Sequence, residues 1–168
     1  MGEEIINRVA KSELITIDLS DYAPTKTFDE IDLKQFLFEG FILKEKEFRA
    51  ALKDFDFSAY ENKIVAINCS SNCIIPMWAY MLVTSHLNNS PTEIHFGTIK
   101  EVFQKLFLQN IESINPVRFE GKKVIVKGCG HIPLTEALYI AITKKLQTTV
   151  SSLMFGEACS AVPVFKKK

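Results

Sequence analysis

The 168 residues contain no Cys-x-x-Cys pair, no Walker A loop and no Gly-x-Gly-x-x-Gly fingerprint. Zinc-ribbon and ferredoxin spacings, P-loop phosphate cradles and dinucleotide folds thus have no signature here. No apolar run reaches the roughly 18 residues a bilayer requires. Met1–Arg8 is acidic and has no apolar core of the secretory type. Met1-Gly2 begins as an acylation signal does, but position 6 is Ile rather than Ser or Thr. Net charge is missing as well. Twenty basic residues balance twenty acidic ones, so no long-range field draws the chain to nucleic acid or anionic lipid. The charge run Lys166–Lys168 reads as a solvated tail. A soluble, cytoplasmic protein is expected.

What is present is apolar material: a hydrophobic content of 47% suffices for the core of one domain, 1–168. Leu14–Leu19 is β-rich and roughly alternating, and Asp21–Pro24 punctuates it as a turn. Phe28–Phe41 carries two signals. Phe28, Ile31 and Leu33 suit a strand, whereas Asp32 suits the cap of a short helix through Gln35 and Phe36 that Gly40 would end. In Lys44–Phe55, Phe48, Ala51, Leu52 and Phe55 fall at i, i+3, i+4 and i+7, which predicts an amphipathic helix.

Three strand-then-helix units follow. Ile64–Asn68 leads to a helix at about Ile75–Leu87, with Pro76 in its first turn. Glu93–Gly97 leads to a helix opened by Thr98 and Glu101, a capping box, with Ile99, Val102, Phe103, Leu106 and Phe107 on its apolar side. Lys123–Lys127 leads through Gly128–Ile132 to a helix over Pro133–Gln147. Leu153–Phe155 and Val162–Phe165, the latter holding Pro163, read as a closing edge strand or hairpin. Such alternation predicts an α/β fold in one domain: a mainly parallel sheet covered by helices on both faces.

The chemistry-bearing residues gather at the predicted strand ends. Cys69 and Cys129 each close a strand and Cys159 follows a third, with Cys73 and His131 just beyond the first two. The carboxyl ends of parallel strands share one edge, where open α/β sheets hold their ligands. Two chemistries follow. Thiolates and a neutral imidazole from Cys69, Cys129, Cys159 and His131 make a ligand set for zinc or iron. Alternatively Cys129 is a nucleophile paired with His131, two residues on, with Glu157 or Glu136 orienting the imidazole and the Gly128 and Gly130 amides left open to a bound group. A third reading makes the protein a binding or scaffold domain whose cysteines only fill the core. His86 and His95 read as satisfied histidines, and Trp78, Tyr80 and Met81 as helix core. Glu39, in the apolar run Phe36–Leu43, must reach solvent or find a partner. Thirteen phenylalanines leave material for a homodimer face.

Phe36–Arg49, Pro76–Leu82, Lys127-Gly-Cys-Gly130 and Gly156–Pro163 together resemble a family of Bacteroidetes proteins known as a domain of unknown function, family 2480, over nearly the whole chain. The resemblance implies a link to sulfur mobilisation, with iron–sulfur assembly proteins as partners. It also matches Cys69, Cys129 and Cys159 to the family's cysteines. Cys73 departs from that pattern, which implies that it is the least suited of the four to be a ligand.

Overall fold

Among the residues described by the computed structural model, 14–87, 93–128 and 130–168, seven strands sort into two hydrogen-bonded sheets. One has the order β1 (Leu14–Asp18), β5 (Lys123–Lys127), β6 (Ser152–Phe155), β7 (Val162–Lys166). The other has the order β2 (Phe28–Asp32), β3 (Ile64–Asn68), β4 (Glu93–Phe96). Every pairing is parallel except that of β6 with β7. Four α-helices are interspersed: α1 (Glu45–Asp54), α2 (Met77–Leu87), α3 (Ile99–Glu112) and α4 (Glu136–Leu146). The α/β class, the mainly parallel pairing and the antiparallel C-terminal strand are those expected. By their packing the described residues form two compact units, one within Thr25–Gln104 and one within Met1–Pro24 with Lys105–Lys168.

In the Thr25–Gln104 unit, β3 is the central strand, and Ile64, Val65, Ala66 and Ile67 are all buried. A strand buried on both faces needs a continuous apolar run rather than alternation. Val65 and Ile67 face a core built with Ile31 and Leu33, Phe48 and Leu52 of α1, and Ala79 and Val83 of α2. Phe48 stands edge-on to Phe36 and to Trp78, with centroids 6.0 and 5.9 Å away. Full burial of a side chain of this size stabilises by about 1.5–3 kcal/mol. On the opposite face, Phe28 packs against Phe103 of α3 at 5.6 Å. Both signals in Phe28–Phe41 prove real: β2 ends at Asp32, whose carboxylate accepts from Lys34 N at 3.0 Å and so starts a 3-10 turn over Leu33–Phe36. The capping box also forms, Thr98 N donating to Glu101 Oε2 at 2.8 Å and Glu101 N to Thr98 Oγ1 at 3.3 Å. Glu39 lies exposed in a tight turn with φ 51°, followed by Gly40 at φ 78°. Reaching solvent is its solution.

In the other unit β5 is central, with Val124, Ile125 and Val126 buried. Helix α4 lays Leu138, Ile142 and Leu146 into this core at i, i+4 and i+8. It starts three residues later than Pro133 suggests. Thr135 is extended and takes the N-cap position, its carbonyl accepting Leu138 N at 3.1 Å. Pro163 sits in the edge strand β7, where the register with β6 shifts. A residue that lacks an N–H is tolerated in that place.

Candidate functional site

Parallel strands give each sheet one carboxyl edge, and each edge carries candidate residues. At the edge of β1, β5 and β6 stand Asp18, Lys127 and Glu157. The Lys127 ammonium is 3.9 Å from Asp18 Oδ2 and 3.5 Å from Glu157 Oε1. Tyr139 is close by, its phenol pushed above the ordinary value by burial and then by the Asp18 charge. Gly128 follows β5 at a crowded point: a Cβ there would lie 2.0 Å from Leu134 Cδ1 and 2.8 Å from the Tyr139 hydroxyl, so a larger residue needs those side chains to shift. Gly130 differs, since a Cβ there would face open space.

His131 is exposed on the loop before α4, and Glu136 is exposed in that helix's first turn. Cys159 is exposed in the β6–β7 connection, where Ser160 N donates to the Glu157 carbonyl at 2.9 Å. Cys129 lies outside the described residues. Cys69 belongs to the other unit and the other sheet.

At the edge of β2, β3 and β4 the thiols do meet, in a pair that the spacing at the strand ends does not single out. Cys69 follows the last residue of β3, and its Sγ is 3.8 Å from Sγ of Cys73. The intervening Ser-Ser-Asn loop is tied down at its start. Ser70 N and Oγ donate to Asp32, at 3.0 and 2.5 Å. Asn68 Nδ2 donates to Glu30 and, at 3.2 Å, to the Gly97 carbonyl. Gly97 N in turn donates to the Ile67 carbonyl at 3.0 Å. Carboxylate and amide together hold the end of β3 between its two neighbours.

Burial pushes the Cys69 thiol above the ordinary cysteine value, and the neighbouring Cys73 and the Asp32 charge push the same way, outweighing a backbone hydrogen bond at Ser71 that acts in the opposite direction. The thiol also points at the Ser71 carbonyl, 3.8 Å away. Cys69 therefore keeps its proton near neutrality. Tyr80, from the first turns of α2, packs beside the pair against the same core. Its phenol is raised by burial and then by the charges of Cys69 and Cys73.

The other expectations sort out as follows. His86 stacks on Phe57 at 5.1 Å, 9° from parallel. His95 has a buried Nε2 with no hydrogen-bond partner among the described residues, the Glu93 carboxylate standing 3.9 Å off. Trp78 packs on the core as expected and carries Arg49 over its ring at 5.3 Å. Met81 does not, being exposed. Among the described residues, no group of three or more His, Cys, Asp and Glu side chains is arranged to hold a metal ion. Nor is any helix there long and apolar enough to cross a membrane.

A family model described as "Protein of unknown function (DUF2480)" matches residues 3–167. Neither the curated proteins nor the solved structures yield a match.

Proposed function

The chain belongs to the family of proteins of unknown function DUF2480, and from that premise we propose that it performs thiol–disulfide exchange through Cys69 and Cys73. One observation carries this reading: the two sulfurs stand 3.8 Å apart on a loop held by Asp32. A disulfide bond is about 2.05 Å long, so the pair needs only a local closure of the Ser70–Asn72 loop to form one.

The roles follow from the electrostatics. Cys69 retains its proton, so the attacking role falls to Cys73, 3.8 Å away and on the far side of the loop. The Cys73 thiolate attacks one sulfur of a substrate disulfide and releases the first thiol. Cys69 then gives up its proton and attacks Cys73 Sγ, releasing the second. The protein loses two electrons and two protons, and the substrate leaves as two thiols. Equilibration with mixtures of reduced and oxidised glutathione, followed by alkylation and mass spectrometry, tests this. A single transition involving Cys69 and Cys73 is expected. Alkylation of both thiols at every ratio would overturn the reading.

A second reading uses the same pair as ligands. Two adjacent thiolates are half of the set that zinc or an iron–sulfur unit takes, and a homodimer would supply four. Service to iron–sulfur assembly partners, as the family resemblance implies, would run through that shared site. Anaerobically purified protein would then hold zinc or iron at one atom or cluster per two chains, and Cys73→Ser would lose it.

A further inference from the structure

A cavity of about 560 Å³ lies between α2 and β4, walled by Ile67, Met77, Tyr80, Thr84, Ile94 and Phe96. Small-molecule sites occupy roughly 300–1,000 Å³ and are mostly apolar with a few placed polar groups. This one fits that description. None of the six walls carries a charge at neutral pH, and the Thr84 hydroxyl donates to the Tyr80 carbonyl at 2.8 Å. His95 also contributes to the lining, but its register opposite Ala66 turns its side chain to the other face of the sheet. Ile94 and Phe96 pair with Val65 and Ile67 on the cavity face.

The cavity and the thiol pair share that face. Cys69 continues the row Val65, Ile67 by one further step of two residues, and both thiols pack on the core beneath it. Tyr80 belongs to the cavity wall and to the surroundings of the pair alike. At the rim, Met77 is 72% and Phe96 74% exposed. Two large apolar side chains left in water at the mouth of an apolar cavity are the mark of a binding surface.

We propose that this cavity is the substrate pocket of the Cys69–Cys73 pair, and that it selects an uncharged, mainly apolar disulfide of small-molecule size. The inference rests on the thiol–disulfide reading. A charged hydrophilic disulfide would bring its carboxylates and ammonium groups against walls that hold no ionic partner, and their desolvation would oppose binding. An alkyl disulfide loses nothing polar on entry, and the hydroxyl-bearing walls Tyr80 and Thr84 are the few polar groups it meets.

The test uses the full-length reduced chain and a size-matched pair of substrates, dipropyl disulfide and bis(2-hydroxyethyl) disulfide. Each rate of oxidation is divided by that of a peptide spanning residues 68–74. N-phenyl-1-naphthylamine, an uncharged fluorescent probe, reports binding separately. The expected result is a preference for dipropyl disulfide of about tenfold or more, equivalent to about 1.4 kcal/mol, with one probe bound per chain. Phe96→Glu and Met77→Glu, on opposite walls and both at exposed positions, should each weaken the probe about tenfold and abolish the preference while far-UV circular dichroism stays unchanged. Equal normalised rates, or a probe that does not bind, would overturn the pocket while leaving the exchange reaction standing. Failure of both disulfides to oxidise the pair would overturn the exchange reading itself, and this inference with it.

Discussion

Asp32 Oδ1 accepts the backbone N–H of Ser70 at 3.0 Å while its Oδ2 accepts the Ser70 hydroxyl at 2.5 Å. The same carboxylate caps the turn that begins at Leu33, so one side chain both ends β2 and holds the loop that carries Cys69. Partial burial pushes the Asp32 carboxyl up, but the hydrogen bonds from Ser70 and Lys34 outweigh it and hold the group below its ordinary value. A carboxylate lowered on folding stabilises above the unfolded value, near 3.9, and that stabilisation is lost as pH falls through the folded value. Asp32→Ala is therefore expected to cost about 1 kcal/mol at pH 7. In urea unfolding the gap to the parent chain should narrow as pH drops below about 4. A gap independent of pH would mean that the loop is held some other way.

The assignment of roles to the two thiols makes a separable prediction. With Cys73 as attacking group and Cys69 as resolving group, Cys69→Ser should accumulate a stable mixed disulfide with glutathione. Cys73→Ser should react much more slowly, since the remaining thiol is the one that burial and the Asp32 charge keep protonated. Intact-mass analysis after a short exposure to oxidised glutathione distinguishes the two. Faster trapping in Cys73→Ser would reverse the roles.

Gly128 and Leu134 test the edge of the other sheet. Because a Cβ at 128 would stand 2.0 Å from Leu134 Cδ1, Gly128→Ala forces Leu134 or the backbone to move, at a cost of about 1–3 kcal/mol. Adding Leu134→Ala removes the nearer clash and leaves only the Tyr139 hydroxyl, 2.8 Å from the same Cβ. The double variant should then be less destabilised than the two single changes summed, by at least about 0.5 kcal/mol. Additive costs would show that the Tyr139 hydroxyl, not Leu134, resists the change. Gly130→Ala is expected to stay within about 0.5 kcal/mol of the parent, because its Cβ would meet open space.

How far the sequence carries depends on how local each determinant is. Ile64–Asn68 and Lys123–Lys127 are legible to the residue because a strand buried on both faces must be an unbroken apolar run. The Thr98 and Glu101 box is legible because its two partners are three residues apart. Sorting the strands into two sheets is not, since parallel pairing joins β1 to β5 across more than a hundred residues and leaves no local mark. The thiol pair fails for a related reason. Cys-x-x-x-Cys suggests one face of a helix, whereas Cys69 and Cys73 meet across a loop whose anchor, Asp32, lies 38 residues upstream of Ser70. The available signals were the Asp at a strand end and the Ser-Ser-Asn cluster, which favours a turn over a helix.

Tyr80 offers a spectroscopic measure of the pair that does not depend on any substrate. Its phenol titrates above the ordinary value, chiefly through burial and then through repulsion by Cys69 and Cys73 once they ionise. The coupling is reciprocal, so a phenolate at 80 must disfavour the thiolates by the same free energy that they cost it. Replacing both cysteines with serine removes the charge contribution and leaves the burial. The Tyr80 midpoint should move down, yet remain above the ordinary value near 10. Ring-carbon NMR of tyrosine-labelled protein, with Tyr80→Phe assigning the signal, follows this directly. Oxidising the pair to a disulfide should move the midpoint in the same direction, since a disulfide carries no charge. An unchanged midpoint in both experiments would separate Tyr80 electrostatically from the thiols, and with it the physical link between the pair and the cavity wall that Tyr80 forms.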